Sequence, residues 1–168
     1  MKNIFIFCAS EKKARINFGK TIRNPVPENL VLGCFPAAQH EELLRWQISA
    51  GGFFAWGIKP GSRALTMLSK LEGGDCVLGF FDFHYRSVSR LVGKIENSEM
   101  AGRLWGNEAW SYIIFLSKPR EIAVPATAVQ PYLCSTYRGA SRISSEKNQS
   151  IVRDFGSVDA FVNKHLEI

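Results

Sequence analysis

The chain has 168 residues, 46% of them hydrophobic and 21% charged, which is the composition of one ordinary globular domain with a single core. No run approaches the ~20 apolar residues of a membrane span, and the first ten residues lack the apolar stretch and small-residue cleavage site of a secretion signal, so a cytoplasmic protein is expected. The formal net charge is +6, and Lys2, Lys12, Lys13, Arg15, Lys20 and Arg23 against Glu11 (six minus one) put +5 of it before residue 24. Such a patch suits a polyanionic partner, the alternative being a merely solvated face.

Residues 3–8 read as a short strand and residues 11–18 as about two helical turns, after which Pro25 and Pro27 force an extended or turning path. Residues 30–35 read as a second apolar strand. Residues 40–48, with Leu43, Leu44, Trp46 and Ile48, form a loose amphipathic helix stopped by Gly51 and Gly52. A strand over residues 53–58 runs into the Pro60-Gly61 turn, and Ser62 is the expected N-cap of a helix to Leu71 that ends at Gly73-Gly74. Four segments rich in Val, Ile, Phe and Tyr follow (76–83, 88–95, 110–116 and 122–124), dense enough for a curved sheet or small barrel. From Ser144 the pattern is helical, with Gly156 as a stop and Ser157 as the N-cap of a last helix over 158–166. No repeat or linker divides the chain, so residues 1–168 are expected to form one mixed α/β (α+β) domain with the last helices packed on its sheet.

Cys8, Cys34, Cys76 and Cys134 form no Cys-x-x-Cys pair and read as buried thiols, so neither a zinc knuckle nor a disulfide framework is expected. His40, His84 and His165 are isolated, and no metal or other cofactor is implied. The run from Ala14 to Thr21 ends in Gly19-Lys20-Thr21 and imitates a phosphate loop, with Asp82 after an apolar strand as the would-be magnesium ligand. A phosphate loop must open directly into a helix, whereas Thr21 is followed by Ile-Arg-Asn-Pro-Val-Pro, so nucleotide hydrolysis is not expected.

The tryptophans carry more information. Trp56 precedes Gly57, Trp105 precedes Gly106, and Trp110 opens a strand; each could be core packing. A Trp-Gly step at a strand end can also present a ring face beside an unencumbered backbone amide and carbonyl, which suits a flat base. The order Leu30-Val-Leu-Gly-Cys-Phe-Pro, Phe54-Ala-Trp56-Gly57, Gly74-Asp75-Cys-Val-Leu-Gly-Phe-Phe, Leu91-Val-Gly93-Lys94-Ile95, Leu104-Trp105-Gly106 and Trp110-Ser-Tyr-Ile-Ile-Phe-Leu116 resembles the PUA-like superfamily with its EVE and YTH domains. The likeness spans nearly the whole chain. It is closest to the modules at the N-terminus of McrB-type modification-dependent restriction proteins, where the segments Thr21-Ile22-x-x-Pro25-Val26, Tyr137-Arg-Gly139 and Gly156-Ser157…Phe161-Val162 also look similar.

The resemblance implies a reader of a modified base, with methylated adenine in DNA as the first expectation, the base being flipped into an aromatic cage. Trp56 matches the first cage tryptophan and is expected to present one ring face to solvent, and Gly57 matches the residue giving a backbone hydrogen bond. Trp105 is the expected second wall, with Trp110 as the substitute and Phe81, Asp82, Phe83 and Tyr85 as further pocket residues. The chain lacks the Trp-Ser step of YTH proteins and has a shorter loop, which leaves the mark open. Phosphate contacts are expected from Lys12, Lys13, Arg15, Lys20, Arg23, Lys59, Arg63, Arg86 and Arg90. Two rivals stand beside this reading: an RNA-binding PUA-like module, and an enzyme using the same pocket on a nucleotide. A restriction setting further implies association with, or fusion to, a motor or nuclease subunit.

Overall fold

The computed structural model describes residues 1–134, 136, 137 and 139–166. In β1 (Ile4–Cys8), Phe5 and Phe7 point to one side and Ile4 and Ile6 to the other, and all four are buried, the mark of an interior strand. After α1 (Lys12–Phe18) the chain continues without a break into a wide turn, Gly19–Arg23. Then come α2 (Glu28–Leu32), α3 (His40–Ala50), β2 (Phe54–Ile58), α4 (Ser62–Ser69), β3 (Cys76–Phe81), β4 (His84–Glu96), α5 (Ser98–Trp105), β5 (Tyr112–Leu116), β6 (Arg120–Pro125), β7 (Ala140–Arg142), α6 (Ser145–Phe155) and α7 (Val158–His165).

The strands form one curved mixed sheet in the order β2-β5-β4-β3-β1-β7, with β6 paired to β4. Its backbone is the 13-residue β4, which pairs β3 and β6 over one half and β5 over the other, with a register shift at Leu91/Gly93 where the halves bend apart. Gly93 lies under the Trp46 ring, and any Cβ there would overlap it. The sheet does not close into a barrel: among the described strands β2, β6 and β7 each pair with a single neighbour.

Strand alternation sorts the apolar side chains into three buried clusters. The concave interior holds Phe7, Phe18, Trp56, Phe81, Ile114 and Leu116. One outer face, with Ile6, Leu78, Tyr85 and Val88, is covered by Ile151 of α6 and Phe161 and Val162 of α7. The other outer face, with Ala55, Ile113 and Phe115, is covered by Val31, Leu43, Met100 and Trp105 of α2, α3 and α5.

Several expectations need correction. Residues 30–35 are not a strand: α2 starts after Pro27, whose carbonyl accepts from Leu30 and Val31, and Val31, Cys34 and Phe35 are buried at helical spacing. Ser62 is the first helical residue rather than the cap, which is Gly61. Helix α5 was not expected, although Asn97 caps it by accepting from the Met100 amide at 2.7 Å and Met100, Ala101, Leu104 and Trp105 form its apolar stripe. Gly19-Lys20-Thr21 lies at the C-terminal end of a helix, where carbonyls rather than amides point outward, and Thr21 is buried. Of the cysteines, Cys34 and Cys76 are buried, but Cys8 is half-buried and Cys134 exposed. The Lys147 ammonium lies 2.8 Å from the Cys134 sulfur and holds that thiol below its ordinary pKa. Among the described residues no helix is long and apolar enough to cross a membrane, and no cluster of His, Cys, Asp or Glu could hold a metal ion.

Candidate nucleic-acid interface

The open seam of the sheet holds a cavity of about 800 Å³. Its walls come from elements far apart in sequence: Cys8 at the end of β1, Ser10, Glu11 and Ala14 at the start of α1, Trp56, Gly57 and Ile58 of β2, Ala64 and Met67 of α4, then Trp110, Tyr137 and Ala140. A base is flat, apolar on its faces and polar at its edge, and this lining matches that division.

Trp56 belongs to the floor rather than to an exposed wall. It is 4% exposed, and one ring face is stacked on Phe7 at 4.4 Å between centroids, 24° from parallel. Trp110 is only half-buried, and the Lys59 ammonium lies 5.5 Å from its ring centroid, so a charge that can meet a phosphate sits beside a ring that can meet a base. Its indole N–H is buried without an acceptor among the described residues.

Gly57 lies between Trp105 and Trp110. A Cβ at this position would come within 2.5 Å of Trp105 Cζ3 and 2.9 Å of Trp110 Cβ. Gly57 also sits on the free edge of β2. Phe53 O accepts from the Val26 amide at 2.7 Å, and Ala55 O accepts from the Thr21 hydroxyl at 2.6 Å, so residues 53, 55 and 57 turn their backbone groups away from β5. The first two carbonyls are occupied, and Gly57 lines the cavity. Gly57→Ala is therefore expected to drive the new methyl into Trp105, which is 3% exposed and cannot yield, at a cost of about 1–3 kcal/mol. Thermal melting measures this, and an unchanged midpoint would contradict the packing described here.

Polar groups at the mouth are few. Glu11 contributes a carboxylate and is exposed. Tyr137 accepts a hydrogen bond from the Cys134 amide at 2.9 Å, and burial pushes its phenol up to about 12, so it stays protonated. Lys59 and Arg63 supply cations on the mouth of the cavity.

Of the eight expected base-pocket residues, the structure brings Trp56, Gly57 and Trp110 together at the cavity. Trp105 is on the opposite face of β2, inside the α5 cluster, and of the two expected walls Trp110 is the one that lines the cavity. Phe81 is buried in the interior, edge-on to Phe18 at 5.2 Å, with the Arg15 and Arg86 guanidinium groups over its ring. Asp82 is exposed and ion-paired to Arg15 at 2.8 Å, Phe83 protrudes from the β3–β4 turn, and Tyr85 is fully buried on the outer face, donating to the Cys134 carbonyl. None of these four lines the cavity.

Among the expected phosphate contacts, Lys59 and Arg63 lie at the cavity, while Lys12 and Arg15 line a shallow depression next to it that shares Ser10. Lys13 and Lys20 are exposed outside both linings. Arg23 pairs with Glu121 at 2.9 Å, Arg86 donates to the Phe81 carbonyl, and Arg90 pairs with Asp159 of α7 at 3.0 Å, on the face away from the cavity. Met67, Ala64 and Ala140 escaped the sequence reading because nothing local marks them; Glu11 stood out only as the lone acid in the basic segment.

No protein-family model matches the sequence, and no curated protein matches it. Solved structures do. The N-terminal domain of Thermococcus gammatolerans McrB bound to m5C DNA superposes with a TM-score of 0.70 at 15% identity, covering 97% of this chain and 99% of that chain. The YTH domain of the Zygosaccharomyces rouxii MRB1 protein in complex with N6-methyladenosine RNA gives a TM-score of 0.46 at 11% identity, over 90% of this chain and 85% of that chain. The first match covers nearly the whole of both chains, and the expected mixed α+β fold of the McrB N-terminal domain type is the one observed.

Proposed function

We propose that this chain, which shares the fold of the McrB N-terminal domain over nearly its whole length, is a binding module and not an enzyme, and that its seam cavity receives one modified base of a nucleic acid. The observation that carries this reading is the convergence, at one cavity, of a half-buried tryptophan, the β2 residue Gly57 with no side chain, and the cations Lys59 and Arg63. The base lies against Trp110 above the Trp56 floor. Its edge offers an exocyclic N–H to an acceptor, Glu11 or the Gly57 carbonyl, and a ring nitrogen to the Gly57 amide. A methyl group fits the apolar part of the lining near Ala64 and Met67, where about 1–2 kcal/mol from transfer and ring contact gives roughly tenfold preference over the unmodified base.

DNA is the first substrate. Turning a base out of a duplex costs a few kcal/mol, which the exposed cations of α1 and the cavity mouth offset through phosphate contacts. Methylated adenine is the first mark, on the resemblance of Trp56-Gly57 to the YTH pattern. Methylated cytosine is the second, favoured by the m5C DNA carried by the archaeal domain. Within a larger restriction assembly such a module would hold a motor or nuclease subunit on marked DNA.

Fluorescence anisotropy with oligonucleotides of one sequence tests the proposal, carrying adenine, N6-methyladenine, cytosine or 5-methylcytosine, as DNA and as RNA. One mark in DNA is expected to bind about tenfold above its unmodified parent. Tighter binding of the RNA set would make this an RNA reader, and equal binding of all members would remove the modified-base function.

A further inference from the structure

The β3–β4 turn has a feature that the cavity does not use. Asp82 and Phe83 both have positive φ, 51° and 56°, in a two-residue hairpin turn whose usual occupants are Asn and Gly. Phe83 is nonetheless phenylalanine, and it is 69% exposed. The turn is held firmly: Phe83 O accepts from the Ala126 amide at 2.9 Å, the Asp82 carboxylate is bound by Arg15, and His84 Nδ1 lies 2.6 Å from Asp82 O. A strained backbone that holds an aromatic ring out in water is costly to folding, and such features persist where a partner uses them.

The surroundings indicate the partner. Arg15, which grips Asp82, is on α1, the helix whose first turn lines the cavity through Glu11 and Ala14. Between cavity and tip lies the depression of Ser10, Lys12, Arg15 and half-exposed Ile16, and Arg86 flanks the turn from β4. An apolar ring on a turn flanked by Arg15 and Arg86, with Lys12 in the neighbouring depression, is complementary to stacked bases bordered by phosphates. A protein partner's apolar patch would not call for those cations.

We infer that Phe83 is a wedge for duplex DNA, entering the base stack at the gap that opens when a base is turned into the cavity. The inference rests on the reading of the cavity as a base site. It adds a division of labour: the cavity holds the extruded base and the hairpin tip keeps the duplex from closing behind it, as apolar side chains do where they part base steps.

A short duplex with a central abasic site and an adjacent 2-aminopurine tests the wedge without any base for the cavity, with the same sequence single-stranded as control. The intact protein is expected to bind the abasic duplex more tightly than the uninterrupted one and to change the 2-aminopurine fluorescence. Phe83→Ala should lose about tenfold on the abasic duplex, the size of one aromatic–base stack, and nothing on the single strand. Phe83→Trp should retain binding. Thermal melting guards against misfolding, and Phe83→Gly, which relieves the positive φ, serves as a second ring-less variant. Equal affinity of Phe83→Ala and the parent for the abasic duplex, or an equal loss on the single strand, overturns the wedge and leaves the tip to a different partner. Loss of selection among methylated single strands would instead remove the cavity reading, and the two failures are read from different oligonucleotides.

Discussion

Trp56→Ala is expected to lower stability by about 3–5 kcal/mol and the melting midpoint by about 10 °C or more, a large share of the 5–15 kcal/mol that holds a domain of this size. The ring is 4% exposed, stacked on Phe7 and embedded in the concave core with Phe54, Ile58 and Leu116, so removing it opens a void beside residues of β1 and β2 that cannot collapse onto one another. This differs from what a solvent-facing cage tryptophan would do, and the loss of binding that accompanies it carries no information on base contact. Calorimetry or a circular dichroism melt checks the magnitude. A midpoint within a few degrees of the parent would show that the stack on Phe7 contributes little and that Trp56 is free to serve as a wall.

Trp110→Ala should do the reverse. The side chain is half-buried at the cavity mouth, so its truncation is expected to leave the melting midpoint within a few degrees of the parent while affinity for the preferred modified oligonucleotide falls roughly ten- to a hundredfold, the equivalent of ~1–3 kcal/mol of base stacking. Binding to unmodified DNA through phosphate contacts should persist and keep its salt dependence. Anisotropy titrations on both DNAs at two salt concentrations separate these effects. Retention of full selectivity by a folded Trp110→Ala protein would remove the aromatic wall from the mechanism.

The sequence showed those elements whose local pattern and burial agree. Strands β1 and β2 and helices α3, α6 and α7 lie within a few residues of where periodicity and caps put them, and the Ser157 cap accepts from the Ala160 amide as expected. Helix α2 was misread because Leu-Val-Leu has β-type composition, while the pyrrolidine of Pro27 and the i, i+3, i+4 burial of Val31, Cys34 and Phe35 decide for helix. The two Trp-Gly steps look alike in sequence and differ in physics. Gly57 is needed for space between two rings, whereas Gly106 has φ 69° and ends α5, so the tryptophan before it is a helix residue turned into the core. One wall of the cavity was not legible as such, since Tyr137, Gly139 and Ala140 are brought to the same cavity as Trp56 only through the pairing of β7 with β1.

That pairing also sets an order of assembly. β1 is the first strand in sequence, yet its parallel neighbour β3 comes about 70 residues later and its antiparallel neighbour β7 is the last strand, with Asn148 of α6 donating to the Lys2 carbonyl across 146 residues. Each of these closures pays loop entropy before it gains contacts, which places the domain among slow, high-contact-order folders. On a ribosome, Phe5 and Phe7 emerge before the other strands and wait with their apolar faces uncovered, while the β3–β4 hairpin can form as soon as it is made. The cavity walls meet last, so a chain stalled before residue 140 carries both tryptophans of the site and no site.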